Sequence, residues 1–278
     1  MTTSASDPVR SSENLLTDNP ALYERTFPGT GDRNARFVHD LVTRFADRAD
    51  SPSLLDIGCG TGRDAARLAE LGYAVRAVDI APRMVTYARN RNPGLTVEVG
   101  DARTVRTEAP VDVLTCLGST LLHLHDTGDL VAALRNFHRC LRPGGLAVFE
   151  MRNGAFLLTD RGRRELLDEE LVARIDWEGV EYTSRTTLRL DLPAQLLRRQ
   201  RTWTWSGCAE PVVQHTAWRL LFPQELRFLL ELSGFEVVTM FDAPGPLTEP
   251  AWPADGRIHE DLTGDRLHVL ARRADATR

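Results

Sequence analysis

The run Leu55-Asp56-Ile57-Gly58-Cys59-Gly60-Thr61-Gly62 constrains this chain more than any other stretch. Three glycines at alternate positions follow a short apolar segment, Ser53 to Ile57, and precede a helical one, about Arg63 to Leu71. Glycine lets a backbone turn through conformations closed to other residues and approach a ligand closely. A glycine turn between a strand and a helix is where an α/β fold holds a cofactor. A dinucleotide loop normally reads G-x-G-x-x-G, because a pyrophosphate rests on the helix N-terminus. Here the spacing is G-x-G-x-G with Asp56 two residues ahead, and an acid there suits a cation better than a phosphate.

The segments around the loop keep the same rhythm. A helix is expected at about Ala35 to Arg48, where Phe37, Leu41 and Phe45 recur at four-residue steps. Gly72 closes the helix after the loop in the left-handed position glycine favours. Strands follow at Tyr73–Asp79, Leu95–Val99, Val111–Cys116 and Leu146–Met151. Between them lie a helix opened by Pro82 and one marked by Leu130, Leu134, Phe137 and Leu141 and stopped by Arg142-Pro143-Gly144-Gly145. Strands alternating with helices at this spacing predict parallel βαβ units in a doubly wound sheet. After residue 155 the pattern changes. A charged helical piece, about Arg161 to Leu171, precedes four runs with period-two alternation: Val172–Trp177, Val180–Leu192, Gln195–Trp205 and Val212–Phe222. They predict an antiparallel sheet. The α/β rhythm then resumes with helix Pro223–Ser233, strand Phe235–Phe241, a Pro-rich loop (Ala243–Asp255) and strand Arg266–Arg272.

Composition narrows the function classes. The 278 residues are 42% hydrophobic and carry a formal charge of −5, where a non-specific nucleic-acid binder carries a basic surplus. Neither a nucleic-acid partner nor a membrane is expected, since no apolar run reaches about 18 residues. Cys59, Cys116, Cys140 and Cys208 lie far apart, which argues against a disulfide framework or a zinc ribbon and for a reducing, cytoplasmic setting. All 34 basic residues are Arg, so lysine Schiff-base chemistry is excluded. No metal site is expected. Residues 1–20, rich in Ser, Thr, Asp and Asn, read as disordered or loosely attached.

Three further strand ends face the loop. Asp79 ends the second strand, 21 residues after Gly58, where a carboxylate can accept both hydroxyls of a ribose. Asp101-Ala102 closes the third, placed to accept from an adenine amino group. Leu117-Gly118-Ser119 ends the fourth with small residues. Together they place a nucleoside across the carboxyl ends of four strands.

Asp56 to Gly62, Asp79, Gly100-Asp101-Ala102 and Leu141 to Gly145 resemble the successive motifs of class I S-adenosylmethionine-dependent methyltransferases. The resemblance covers about residues 35–151 and resumes at 223–272. It implies a Rossmann-like seven-stranded sheet, mostly parallel with the last strand antiparallel, and S-adenosylmethionine as cofactor. It also implies that Gly58, Gly60 and Gly62 line the methionine and ribose part, that Asp79 holds the ribose, and that Asp101 and Ala102 hold the adenine. Tyr23, Asp56, Cys59, Ile80, Met84, Arg103, Leu117 and Gly118 complete the expected cofactor wall. The β insertion between strands 5 and 6 is similar in arrangement to that of sugar N-methyltransferases and glycine N-methyltransferase-like enzymes, where it roofs the acceptor or forms a subunit contact. The expected division is an N-terminal segment and lid (1–33), a cofactor-binding core (34–155), the β insertion (156–222) and completion of the core (223–278).

Nucleic-acid amino methylases often carry an Asn/Asp-Pro-Pro-aromatic tetrad where this chain reads Cys116-Leu117-Gly118-Ser119, so a small-molecule acceptor is expected. An amine nitrogen, such as that of an amino sugar or specialised metabolite, is the first choice. A small-molecule O- or C-methyltransferase and a non-catalytic binding protein stay open. Methyl transfer is an in-line displacement that needs alignment, water exclusion and a neutral amine or deprotonated hydroxyl. His123 is the candidate base, or else a structural histidine. Glu150 is the candidate carboxylate for a cationic amine, or a supporting partner. Tyr23, Ser119, His123, Arg152, Trp203 and Trp218 are the candidate acceptor contacts. The insertion arginines Arg185, Arg189, Arg198, Arg199, Arg201 and Arg219 read either as an anion clamp or as a solvated sheet face. A self-pairing insertion would also serve a homodimer.

Overall fold

The computed structural model describes residues 14–29, 31–46, 51–252 and 258–274. Two short helices, α1 (Leu15–Asp18) and α2 (Pro20–Thr26), precede α3 (Arg33–Phe45). The α/β core then runs β1 (Ser53–Ile57), α4 (Arg63–Glu70), β2 (Ala74–Asp79), α5 (Pro82–Arg91), β3 (Thr96–Val99), β4 (Val111–Cys116), α6 (Thr127–Cys140) and β5 (Leu141–Arg152). After α7 (Asp160–Leu167) come β6 (Leu171–Trp177), β7 (Val180–Asp191), β8 (Leu196–Trp205) and β9 (Val212–Arg219). The chain finishes with α8 (Pro223–Leu232), β10 (Phe235–Phe241) and β11 (Arg266–Arg273).

The larger sheet has seven strands in the order β10-β11-β5-β4-β1-β2-β3. Its pairs from β3 to β5 are parallel, and β11 runs antiparallel to both β5 and β10. Successive strand residues point to opposite faces, and the sheet is covered on both. Leu55, Leu114, Phe149 and Val269 face α6 and α8, where they meet Leu134, Phe137 and Leu230. Their neighbours Leu54, Val113, Val148 and Leu270 face α3, where Phe37, Val38 and Leu41 close the second layer. The order reverses between β1 and β4, so the chain leaves these two strands in opposite directions and opens a crevice at their carboxyl ends.

The four-stranded sheet is antiparallel throughout, in the order β6-β7-β8-β9. Glu178 and Gly179, at φ 52° and 78°, make the two-residue turn between β6 and β7, the left-handed geometry a tight hairpin requires. Along β8 the burial alternates: Leu197, Arg201 and Trp203 are buried and Arg198, Gln200 and Thr204 exposed. The inner face therefore packs toward the core, and β9 reaches the segment after β4 through Arg219, whose Nη1 donates to the His125 carbonyl at 2.9 Å.

Two expectations change. Residues 14–20 are not loosely attached: they belong to α1 and the start of α2, and Leu15, Leu16 and Leu22 are buried against Ile175, Tyr182 and Trp203 of the small sheet. Burial of three leucines outweighs the polar composition around them. Residues 1–13 of the expected disordered start lie outside the described residues, as do 47 and 48 of the first expected helix and 253–255 of the Pro-rich loop. Helix α6 ends ahead of Arg142 as expected, at Cys140, but the Arg142–Gly145 stretch is not separate from the next strand. It begins β5, with a register shift opposite Val111 and Val113, and Gly144 takes φ 73°. Among the described residues no helix is long and apolar enough to cross a membrane.

Candidate active site

The crevice holds a cavity of about 470 Å³, within the range of small-molecule sites. Its floor is the glycine loop. Gly58, Gly60 and Gly62 all take positive φ (72°, 55° and 77°), yet they do different work. A Cβ on Gly58 would overlap the Thr120 side chain, and one on Gly62 would meet Ala88 Cβ at 3.1 Å. These two glycines let the loop pack on its neighbours. A Cβ on Gly60 meets nothing within 4 Å, so Gly60 is where the loop leaves room for a ligand. Gly118, at φ 63° on the facing wall, opens in the same way.

Asp79 ties β2 to the loop. One carboxylate oxygen accepts from Gly60 N–H and the other from Ala81 N–H, each at 2.8 Å. The Ile80 backbone N–H adds to these bonds, and burial raises the pKa of the group despite them. Ile80, 67% exposed, offers a flat apolar edge to the cavity. Asp101 and Ala102 stand at its far end. Arg103 Nη2 holds the Asp101 carboxylate at 2.6 Å and its Nη1 reaches Asp129 at 2.8 Å, so the Arg103 hydrogen bonds keep Asp101 ionised below the usual range. Met84 and Tyr23 also line the cavity. Asp56 lies beneath the loop, 4% exposed, and accepts the Thr115 hydroxyl at 2.7 Å. Burial pushes its pKa up to about 7.

His123 ends a short 3-10 turn, Thr120–His123, after β4 and also lines the cavity. Its ring is open to the crevice yet surrounded by protein. Desolvation, with the nearby Arg199 and His125 charges, lowers its pKa to about 4. Tyr23 has its pKa raised by burial, against the pull of Arg63.

The cavity thus brings together Tyr23, Gly58, Gly60, Asp79, Ile80 and Met84 on one side. Asp101, Ala102, Arg103, Gly118 and His123 close the other. The remaining expected residues stand elsewhere. Cys59 packs against the α4–α5 layer, Leu117 is in the core, and Asp56 and Gly62 act from below the loop. Ser119 is buried at φ 65°, and its hydroxyl accepts Arg152 N–H at 3.1 Å. Glu150 does not face the crevice: its carboxylate accepts Gly118 N–H at 2.8 Å and pairs with Arg266, both side chains being buried. It supports the loop that carries Gly118 rather than meeting an acceptor. Trp203 is fully buried among Leu15, Leu16 and Leu22 and is core, not acceptor wall. Arg152 donates to Asp265 at 2.6 Å and stands 5.3 Å from the Trp218 ring centre, lining a smaller cleft beside the crevice.

Several wall residues gave no signal in the sequence. Asn14 and Thr17 reach the cavity from α1. Leu121 and Leu124 do so from the turn after β4, where an apolar residue reads equally well as core. A second cavity of about 330 Å³, near His39, Tyr73 and Arg142, lies at the amino ends of the strands, away from the glycine loop.

Comparison with known proteins gives this geometry a family. Residues 54–145 match the family model described as a methyltransferase domain. Residues 54–145 are thus similar to a methyltransferase domain. The chain is 33% identical over 132 residues to a dTDP-3-amino-3,6-dideoxy-alpha-D-glucopyranose N,N-dimethyltransferase of Streptomyces fradiae, covering 46% of this chain and 51% of that protein. It is 34% identical over 123 residues to glycine N-methyltransferase of Rattus norvegicus, covering 38% and 42%. The match therefore spans about half the length of these relatives or less. The fold is similar over nearly all of the chain to an amino pentose methyltransferase of calicheamicin biosynthesis from Micromonospora echinaspora, solved with S-adenosylmethionine bound. That likeness has a TM-score of 0.65 at 25% identity and covers 91% of this chain and 97% of the other. A sugar N-methyltransferase from a Streptoalloteichus species has a TM-score of 0.73 at 19% identity and covers 99% and 98%.

The crevice fits S-adenosylmethionine, the molecule bound in the amino pentose methyltransferase. Gly60 and Gly118 leave space where a Cβ would stand, and the Asp79 carboxylate lines the same cavity. The Asp64 and Asp79 charges add to burial in raising the Asp56 pKa, so negative charge gathers by the loop, where it attracts the cationic end of the molecule.

Proposed function

We propose that this protein transfers a methyl group from S-adenosylmethionine to the amine nitrogen of a small molecule, an amino sugar. The observation that carries this reading is the join between two surfaces. The cavity that fits the cofactor also reaches Tyr23 and His123, and the charge of Arg199 on the small sheet acts on both. Sugar N,N-dimethyltransferases among the relatives of the cofactor half support the choice of acceptor.

When bound, S-adenosylmethionine supplies an electrophilic methyl on a sulfonium. The chain then has to hold an uncharged amine in line with it and keep water out. With a pKa near 4, the His123 ring is neutral at pH 7 and accepts a hydrogen bond from an amine N–H. That bond turns the nitrogen lone pair toward the donor. The depressed pKa makes His123 a poor proton store, so it orients the amine and the proton leaves to solvent. Tyr23, a neutral phenol whose pKa burial raises further, lines the site from α2.

A transfer assay with labelled S-adenosylmethionine and four acceptor pools tests the reading: nucleotide-linked amino sugars, simple amines, phenols and RNA. Label in the amino-sugar pool is expected. Label confined to phenols or RNA overturns the nitrogen assignment. Cofactor binding without label in any pool favours a binding protein that does not transfer.

A further inference from the structure

The inner face of β8 carries two cations among apolar residues. Leu197, Arg199, Arg201 and Trp203 alternate along it toward the core. Arg201 is 8% exposed. Its Nε donates to the Thr186 hydroxyl at 3.0 Å, while its Nη1 is buried with no hydrogen-bond partner among the described residues. Arg199 donates its Nε to the Thr216 hydroxyl at 2.8 Å and lies 4.4 Å from the Trp218 ring centre. Among the described residues neither has a carboxylate within ion-pair distance.

Of the other four arginines singled out in the insertion, Arg189 is exposed and three are paired. Arg185 pairs with Glu170, Arg198 with Asp191 and Arg219 with Glu225. Arg152, the third guanidinium near the cluster, already holds Asp265. Solvated-face behaviour therefore describes Arg185 and Arg198, which are exposed, but not Arg199 and Arg201. Burial, followed by repulsion from Arg201 and Arg152, lowers the Arg199 pKa to about 9. A desolvated charge without a partner is unfavourable in the folded protein unless something else neutralises it.

We propose that Arg199 and Arg201 form an oxoanion site that receives a phosphate or carboxylate group carried by the methyl acceptor. The proposal rests on the transferase reading and names the acceptor's chemistry. Arg199 is close enough to His123 and Tyr23 to bias the ionisation of both, which puts its charge beside the place where the amine is held. Guanidinium groups offer paired N–H donors that match phosphate and carboxylate oxygens. Positions two apart on a strand lie about 7 Å from each other, a span that suits adjacent oxoanions or two sides of one. The dry surroundings that disfavour the bare cations strengthen their attraction for an anion. On this account the anionic end of the acceptor is fixed on the small sheet, and the amine falls toward His123.

Calorimetric titration of the full chain with thymidine diphosphate, inorganic pyrophosphate and acetate tests this, with and without saturating S-adenosylhomocysteine. Binding of at least one probe is expected, weakened about tenfold or more by Arg199→Gln or Arg201→Gln and unchanged by Arg198→Gln. Preference for the two phosphates or for acetate then identifies the group. Failure of all three probes to bind wild-type protein at millimolar concentration overturns the proposal. So does an equal loss in Arg198→Gln, which would mean a general field and no site. Arg199 is half-buried, so its variant carries the test if Arg201→Gln fails to fold. S-adenosylhomocysteine affinity is read from the same samples. Its absence would count against the transferase reading, and anion binding is scored apart from it.

Discussion

Asp79 carries the most legible single role in the site. Its place at the end of β2, 21 residues after Gly58, located it in the sequence, and the fold adds its bonds to Gly60 and Ala81. Asp79→Ala is expected to weaken S-adenosylmethionine binding by about 1–3 kcal/mol, through loss of hydrogen bonds to the ribose and of the tie to the loop. Calorimetry checks it, and unchanged affinity would remove the ribose assignment. Asp56 makes a second prediction. Burial raises its pKa to about 7, so it is partly protonated in the free protein at neutral pH. A cationic ligand favours the ionised form. Cofactor affinity should therefore rise as pH increases through 7, and Asp56→Asn should flatten that rise. His123→Ala should lower turnover by about tenfold or more with little change in cofactor affinity, because it acts on the acceptor. Glu150 shows where reading residues one at a time stops. Its position at the end of β5 indicates nearness to the crevice, but its partner Arg266 lies 116 residues further on, and only the fold brings the two together.

At the scale of elements, the α/β rhythm was readable because each segment carries its own periodicity and punctuation. The glycine loop, Pro82 at the start of α5 and the two-residue alternation of β7 and β8 are local signals. The N-terminal helices were not readable in the same way. Leu15, Leu16 and Leu22 are sparse in polar surroundings, and their partners Tyr182 and Trp203 lie far along the chain. The same contact explains why Trp203 read as acceptor wall: alternation says which residues share a face, not what covers it. Leu15→Ala should cost about 2–5 kcal/mol of stability, since its side chain is fully buried. It should also weaken cofactor binding, because Asn14 and Thr17 on the same short helix reach the cavity. Denaturant unfolding and cofactor titration on one preparation would separate the two effects. A variant with normal stability would mean that α1 does not dock as described.

Across the whole molecule, two sheets enclose one crevice, and the interior holds a titratable group away from it. His268 is fully buried between Phe37 and Phe241, with ring centres 5.2 and 5.1 Å away. Burial lowers its pKa to about 4, below its unfolded value, so it is neutral in the fold. A folded-state pKa depressed in a histidine gives stability that is present above the unfolded value of about 6.5 and lost as pH falls toward 4. Wild-type protein should lose up to about 3 kcal/mol relative to His268→Leu over that window, as read from thermal unfolding. Parallel curves for the two proteins would contradict the buried neutral state. The central claim concerns what the crevice does. It is tested most directly by locating an isotope-labelled methyl group in the product formed from a nucleotide-linked amino sugar, by magnetic resonance. The account predicts the label on the amine nitrogen, and its loss in Asp79→Ala at limiting cofactor. A label on oxygen or carbon, or no transfer while the cofactor binds normally, would contradict it.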